Sequence, residues 1–292
     1  MNKIGYWFFL LSIKLLSLIP FWLLYGIANL VYILLLAFGY RKKVVIANLA
    51  SAFPEKTVQE RKAIMHKYYR NVADILVESL KGFDMKIRKN DLRIKILNPE
   101  FLDSYYEQGK HVMINMGHYG NWEWIAHYMP LQTKHVCATI YKPISNPYID
   151  QYMREKRMAG GFKLASIANT RVFMSELTSA EPFVVIFASD QSPSNVSKAI
   201  WVNFLNKDTA CLQGAEFYSR LYDMPMIFMN VIRVKRGYYE ATYSLLCNTP
   251  KETVSGELTQ IFNAKLEEEI KRIPELWIWS HKRWKHQRQK PE

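Results

Sequence analysis

An uncharged apolar run extends from Leu15 to Phe38, LLSLIPFWLLYGIANLVYILLLAF, and is followed by Tyr40-Arg41-Lys42-Lys43. At ~1.5 Å of helix rise per residue it is long enough to cross a hydrocarbon core of ~30 Å. A cleaved signal peptide has a shorter apolar stretch and a small-residue cleavage site, so this run reads as a retained membrane segment. The cations behind it place the remainder of the chain on the cytoplasmic side. Lys14 and Pro20 admit a second reading, a kinked helix lying in one leaflet. Beyond Asn48–Pro54 the pattern changes to helical spacing over Lys56–Leu80, with Ile64, Tyr68, Val72, Ile75 and Leu76 on one face. Strands and helices then alternate. Strands are predicted at His111–Met116, Val136–Tyr141, Phe183–Ala188 and Met226–Val234, and helices at Asn121–Tyr128, Ile149–Met158, Gln213–Tyr222 and Glu257–Ile273. This alternation predicts an α/β fold: a mostly parallel or mixed central sheet flanked by helices, with an N-terminal transmembrane or interfacial helix. The division is an anchor helix over residues 1–40 and one α/β domain over 41–292.

Composition narrows the class. The chain has 292 residues, 49% of them hydrophobic and 14% aromatic, which excludes disorder and low-complexity binding tails. The net charge of +13 predicts an anionic partner, and its placement says which. Met1–Pro54 carries Lys3, Lys14, Arg41, Lys42 and Lys43 and no acid, and the segment from Ser280 on carries five cations and one acid, so the ends hold nine of the surplus charges. Cations beside an apolar anchor and tryptophans suit lipid phosphates better than nucleic acid, for which no recognised motif is present. Cys137, Cys211 and Cys247 lie far apart, without a CxxC pair, and suggest neither a disulfide framework nor a structural zinc site.

The chemistry concentrates in Gly117-His118-Tyr119-Gly120-Asn121-Trp122-Glu123, directly after an apolar strand. Glycines on both sides of the histidine suit a tight strand-to-helix turn. On one continuous helix His118 and Glu123 would be ~140° apart and out of reach. With His118 on the turn and Glu123 in the first helical turn, the carboxylate can reach one ring nitrogen and leave the other free to take a proton. The bland alternative is a surface histidine with a capping acid. No serine or cysteine sits in a nucleophile-elbow context, and no second histidine stands at metal spacing, so a lone base activating an acceptor hydroxyl fits.

The His-x4-Glu spacing resembles that of the glycerolipid and lysophospholipid acyltransferase superfamily. NLASAFPE (Asn48–Glu55), GHYGNWE, YKPISNPYID (Tyr141–Asp150), KRM (Lys156–Met158), SDQS (Ser189–Ser192) and WIWSHKRWK (Trp277–Lys285) more closely resemble the bacterial lipid A biosynthesis acyltransferases. That resemblance implies His118 as general base, Glu123 as its partner, and Arg157 as the cation that positions the acyl donor. It groups Asn121, Lys142, Asp190 and Gln191 with Arg157 as substrate-binding residues. It implies acyl carrier protein as donor carrier, a lipid A precursor as acceptor, the cytoplasmic face of the bacterial inner membrane as location, and no metal or redox cofactor. Lys142 stands where many relatives have Arg, and Ser192 where many have a second acid. A lysophospholipid or aminoacyl lipid is the alternative acceptor, and a membrane-anchored nucleic-acid-binding protein the alternative of another class.

The C-terminal cluster Trp277, Trp279, His281, Lys282, Arg283, Trp284 and Lys285 alternates indoles with cations. Three readings are open: a surface gripping a phosphorylated acceptor, with Lys282 and Arg283 as substrate contacts; a single-stranded nucleic-acid surface; or a terminal segment that packs its tryptophans while its cations stay solvated.

Overall fold

Val112–Met116 and Phe183–Ala188 are nearly unbroken apolar runs rich in β-branched residues, the sequence of strands covered on both faces. In the computed structural model, which describes residues 2–85, 87, 92–177 and 181–288, they lie side by side in the middle of the sheet. In chain order the elements are α1 (Asn2–Leu18), α2 (Phe21–Ala37), α3 (Lys42–Ala52), α4 (Val58–Gly82), β1 (Ile94–Ile96), α5 (Glu100–Glu107), β2 (Val112–Met116), α6 (Trp122–Tyr128), β3 (Val136–Tyr141), α7 (Pro147–Ala159), β4 (Phe162–Ser166), α8 (Thr170–Leu177), β5 (Phe183–Ala188), β6 (Ile200–Phe204), β7 (Lys207–Cys211), α9 (Gly214–Tyr222), β8 (Met226–Lys235), β9 (Tyr238–Cys247) and α10 (Glu257–Arg272). The seven-stranded sheet runs β1-β9-β8-β2-β5-β3-β4. Within it only β8 and β9 pair antiparallel; β6 and β7 form a separate antiparallel hairpin. The strands and helices expected beyond the N-terminal apolar run all form, in a mixed, mostly parallel sheet.

The chain leaves β2 toward β3 on one side and leaves β5 toward β8 on the other. In an open α/β sheet this reversal leaves a crevice outside the carboxyl ends of the strands. The register fixes what meets there: Met116 pairs with Ala188, and the Ser189 N–H donates to the Met116 carbonyl at 3.1 Å. Residues two beyond each strand, His118 and Asp190, therefore emerge together.

The long apolar run does not form one helix. It divides at Ile19-Pro20 between α1 and α2. Proline has no N–H to continue the ladder, and the carbonyls left over at the end of α1 are satisfied from outside. Lys81 Nζ, on α4, donates to the carbonyls of Leu16, Ser17 and Ile19 at 3.2, 2.7 and 2.8 Å. Among the described residues no single helix is long and apolar enough to cross a membrane; α2 and α3 meet that test only together, with an 86° bend between them. Leu24 and Ala28 of α2 bury against Val77 of α4. The first helix touches α7, and Asp84 joins the two, accepting from Lys14 at 2.6 Å and from Lys156 at 2.8 Å. A capping box starts α4, with the Thr57 hydroxyl accepting from the Glu60 N–H at 3.2 Å and Glu60 Oε2 accepting from the Thr57 N–H at 2.7 Å.

Candidate active site

Gly117 and Gly120 let the chain turn sharply after β2. Gly120 has φ +64°, and a Cβ there would collide with the Val231 carbonyl oxygen, so no other residue fits. A Cβ on Gly117 would press against Leu266 and Asp190. The turn that results aims the His118 ring at the end of β5.

His118 Nδ1 lies 2.6 Å from Asp190 Oδ1. Asp190 Oδ2 also accepts from the His118 backbone N–H at 2.8 Å and from Trp277 Nε1 at 2.8 Å. With its carboxylate buried and acceptor-only, Asp190 requires a donor on Nδ1, which puts the lone pair of the neutral imidazole on Nε2. Nε2 faces Gln191 Nε2 at 3.2 Å, and Trp122 lies edge-on to the ring. Burial alone would lower the histidine pKa, but the Asp190 charge and hydrogen bond, with Glu123 adding its charge, raise it above the ordinary value. For Asp190 burial works in the raising direction. The imidazole, the His118 backbone N–H and the Trp277 indole outweigh it and hold the carboxyl below its ordinary value.

The expected contact between Glu123 and the imidazole is not formed. Asp190 occupies the ring nitrogen assigned to Glu123, and Glu123 Oε2 accepts instead from Arg157 Nη2 at 3.0 Å, in a pair with side chains 30% and 18% exposed. Two charge pairs thus stand on either side of the turn, one built on the strand ends and one joining α6 to α7. The first can take a proton from a hydroxyl, and the second can hold an anionic or strongly dipolar group.

The sequence profile of the family described as bacterial lipid A biosynthesis acyltransferase matches residues 1–286. The chain belongs to that family. It is 26% identical over 254 residues to the lipid A biosynthesis palmitoleoyltransferase of Escherichia coli (strain K12), spanning 84% of this chain and 79% of the relative. The same figures hold for a lipid A biosynthesis acyltransferase of Shigella flexneri. The lipid A biosynthesis lauroyltransferase of Escherichia coli (strain K12) is 24% identical over 249 residues, with the same coverage.

Other residues expected at the site have different places. Asn121 is fully buried and contacts protein on both ends of its amide: Oδ1 accepts from the Trp124 N–H at 3.1 Å, capping α6, and Nδ2 donates to Glu78 Oε2 at 2.8 Å. It shapes the turn rather than lining the crevice. Lys142 lies exposed one residue past β3, on the same sheet edge two strands from β2.

The C-terminal cluster follows the packing reading for its tryptophans but departs from it at Arg283, a cation expected to stay solvated that is buried instead. Trp277, Trp279 and Arg283 are buried. Arg283 donates to the Ala210 carbonyl at 2.6 Å and to Cys211 Sγ, so it braces the β6–β7 hairpin and does not face an acceptor. Lys282 and Lys285 remain exposed. The segment instead cradles the Asp190 loop, through Trp277 and through His281 Nε2, which accepts from the Ser192 N–H at 3.0 Å. Burial pushes the His281 pKa down to about 4, in keeping with a neutral acceptor. Asn48, in the NLASAFPE stretch, donates to the carbonyls of Trp279 and His281 at 2.8 and 2.9 Å, so two motifs distant in sequence meet behind the site. Sequence reasoning missed Trp277 and His281 as loop supports, because a basic and aromatic segment reads equally as a binding surface. Cys137 and Cys211 are buried free thiols, and Cys247 is half-buried.

Proposed function

We propose that this family member transfers a fatty acyl chain from an acyl carrier protein thioester to a hydroxyl of a lipid A precursor, as a secondary acylation. The observation that carries the reading is the His118–Asp190 pair at the crevice of a chain belonging to this family. His118 Nε2 removes the proton of the acceptor hydroxyl, whose oxygen displaces Gln191 from the ring nitrogen and attacks the thioester carbonyl. The C–O bond forms, the C–S bond breaks, and the leaving sulfur takes up the proton from the imidazolium. Asp190 holds the ring in the competent tautomer and stabilises the imidazolium as it forms, the role of the carboxylate in any His–carboxylate pair. Arg157, oriented by Glu123, positions the donor or the oxyanion. No covalent acyl-enzyme is required.

The same reading sets the enzyme at the membrane, with its N-terminal helices lying in one leaflet. Each of α1 and α2 has 17 residues, about 25 Å of helix, short of a ~30 Å core. They and the residue that closes α2 present bare apolar side chains, including Trp7, Leu18 (81% exposed), Trp22 (76%) and Phe38 (83%), a patch of the kind that marks a membrane face. Lys42 and Lys43 stand exposed beside it, where anionic headgroups would be met on the cytoplasmic side of the inner membrane. The acyl-carrier-protein reading is tested by incubating the purified protein with acyl-loaded carrier protein and a lipid A precursor, and following the acceptor by mass spectrometry. An acceptor heavier by one acyl group supports it; acylation of a lysophospholipid alone would move the enzyme to the alternative acceptor.

A further inference from the structure

We propose that Glu78 is a positioning residue for the catalytic turn, acting through Asn121 and tying that turn to the apolar helix α2. The proposal rests on the acyl-transfer reading of the site. Glu78 lies in α4 with no exposed surface. Its Oε1 accepts from the Tyr25 hydroxyl of α2 at 2.9 Å. Its Oε2 accepts from Asn121 Nδ2 at 2.8 Å and from the Tyr239 hydroxyl of β9 at 2.7 Å. Its backbone carbonyl takes the Trp124 indole N–H at 2.9 Å. Three side-chain donors from three separate elements converge on one buried carboxylate, and a fourth reaches the same residue's main chain.

A buried acid is a costly way to stabilise a core, since an apolar side chain of similar volume does as well or better. What a carboxylate adds is direction: burial pushes the Glu78 pKa up to about 7 against the pull of the Tyr239 and Tyr25 hydroxyls, and above that value the group only accepts and so fixes where each donor points. Asn121 is the donor that matters for chemistry. It stands three residues after His118 and two before Glu123, in a turn whose other constraint is the close approach of Gly120 to Val231. With Oδ1 capping α6 and Nδ2 committed to Glu78, its amide has one orientation, and the start of α6 has one position against α4. His118 must meet Asp190 on one side of that start, and Glu123 must meet Arg157 on the other. A shift of α6 along α4 would open both pairs. Tyr25 brings α2 into the same junction, so the seating of the apolar helix and the geometry of the turn share a carboxylate.

The test is an exchange of donor and acceptor in the full-length protein in detergent micelles, with acyl-loaded carrier protein and lipid A precursor. Asn121→Asp keeps a good helix cap but, assayed above the value of about 7 to which burial raises Glu78, sets a carboxylate against a carboxylate. Its kcat should fall by at least about 10-fold, with KM for donor and acceptor within about twofold, because misplacement by about 1 Å is enough for such a loss. In the double variant Glu78→Gln/Asn121→Asp the amide introduced on α4 donates to the carboxylate introduced on the turn, and the tyrosine hydroxyls keep partners. It should return kcat to within about threefold of wild type. Tyr25→Phe, which removes one donor from Oε1, should lower kcat severalfold at unchanged KM. Wild-type kcat for Asn121→Asp, or a folded double variant no more active than the single, overturns the proposal. Should Asn121→Asp not fold, a folded and active double variant supports the proposal, and a folded but inactive one overturns it. Failure of the underlying reading shows separately, as absence of transfer by the wild type.

Discussion

His118 Nδ1 and Asp190 Oδ1 are 2.6 Å apart, although 72 residues separate them in the chain. The pairing follows from strand register. Parallel β2 and β5 end level, at Met116 and Ala188, and after each strand the chain runs two residues further before the side chain of the pair emerges. Any slip of that register would separate the pair, which is why the Asp190 loop is held from behind by Trp277 and His281.

The charge balance of the pair predicts a pH dependence. His118 must be neutral to accept a proton, and Asp190 raises its pKa, so kcat/KM should fall as pH falls through a value above the ordinary ~6.5. In Asp190→Asn that limb should move to lower pH. Stability carries the same signature. The raised His118 pKa gives a contribution complete below ~6.5 and lost as pH rises through the folded value, and the depressed Asp190 pKa gives one present above ~3.9 and lost as pH falls through its folded value. Thermal unfolding across pH should therefore show the Tm gap between wild type and Asp190→Asn widest between the two folded pKa values. A gap that does not change with pH would contradict the pairing.

Arg157 and Glu123 should behave as one unit. Arg157→Lys keeps the charge but loses the planar fork, and should lower kcat/KM by about 10-fold. Glu123→Gln should cost a similar amount, and the double variant should lose much less than the two losses combined, with a coupling of about 0.5–3 kcal/mol. Additive losses would mean that the two residues act independently.

Trp277→Phe removes the indole N–H from Asp190 while keeping an aromatic ring in the core. Stability should drop by about 0.5–1.5 kcal/mol, the usual worth of one hydrogen bond, or somewhat more because the acceptor is charged. The turnover should fall by several-fold at unchanged KM. Unfolding titrations and steady-state rates on the same preparations measure both, and a stability loss with wild-type turnover would reduce Trp277 to packing.

The parts of this site that the sequence shows are those set by local spacing. The Gly117-His118 turn, the helix behind it and the flanking strands are each encoded within a few residues, by glycine freedom or by an unbroken apolar run. The partner of His118 is not encoded locally. The spacing offers Glu123, and only the β2–β5 register shows that Asp190 is nearer. Arg283 misled for a related reason, since a cation in a basic tail gives no sign that a carbonyl and a thiol await it on β7. The break at Pro20 was visible, but the Lys81 ammonium that makes it a fixed corner comes from a helix more than sixty residues on.

The membrane face has its own test. Replacing Trp7 and Trp22, exposed on α1 and α2, by Glu should abolish sedimentation of the protein with vesicles containing anionic lipid, with the fold unchanged by circular dichroism. High salt should weaken wild-type binding only in part, because apolar insertion remains when the charges are screened. Undiminished vesicle binding by the double variant would place the membrane contact elsewhere.

The most direct measurement is the rate of acyl transfer from acyl-loaded carrier protein to a lipid A precursor, by wild type and His118→Ala side by side in the same micelles. The account predicts an acceptor heavier by one acyl chain with wild type, and a rate lower by ~10²–10⁴-fold in the variant, the usual cost of losing a general base. Transfer by His118→Ala at the wild-type rate, with the variant folded, would contradict it.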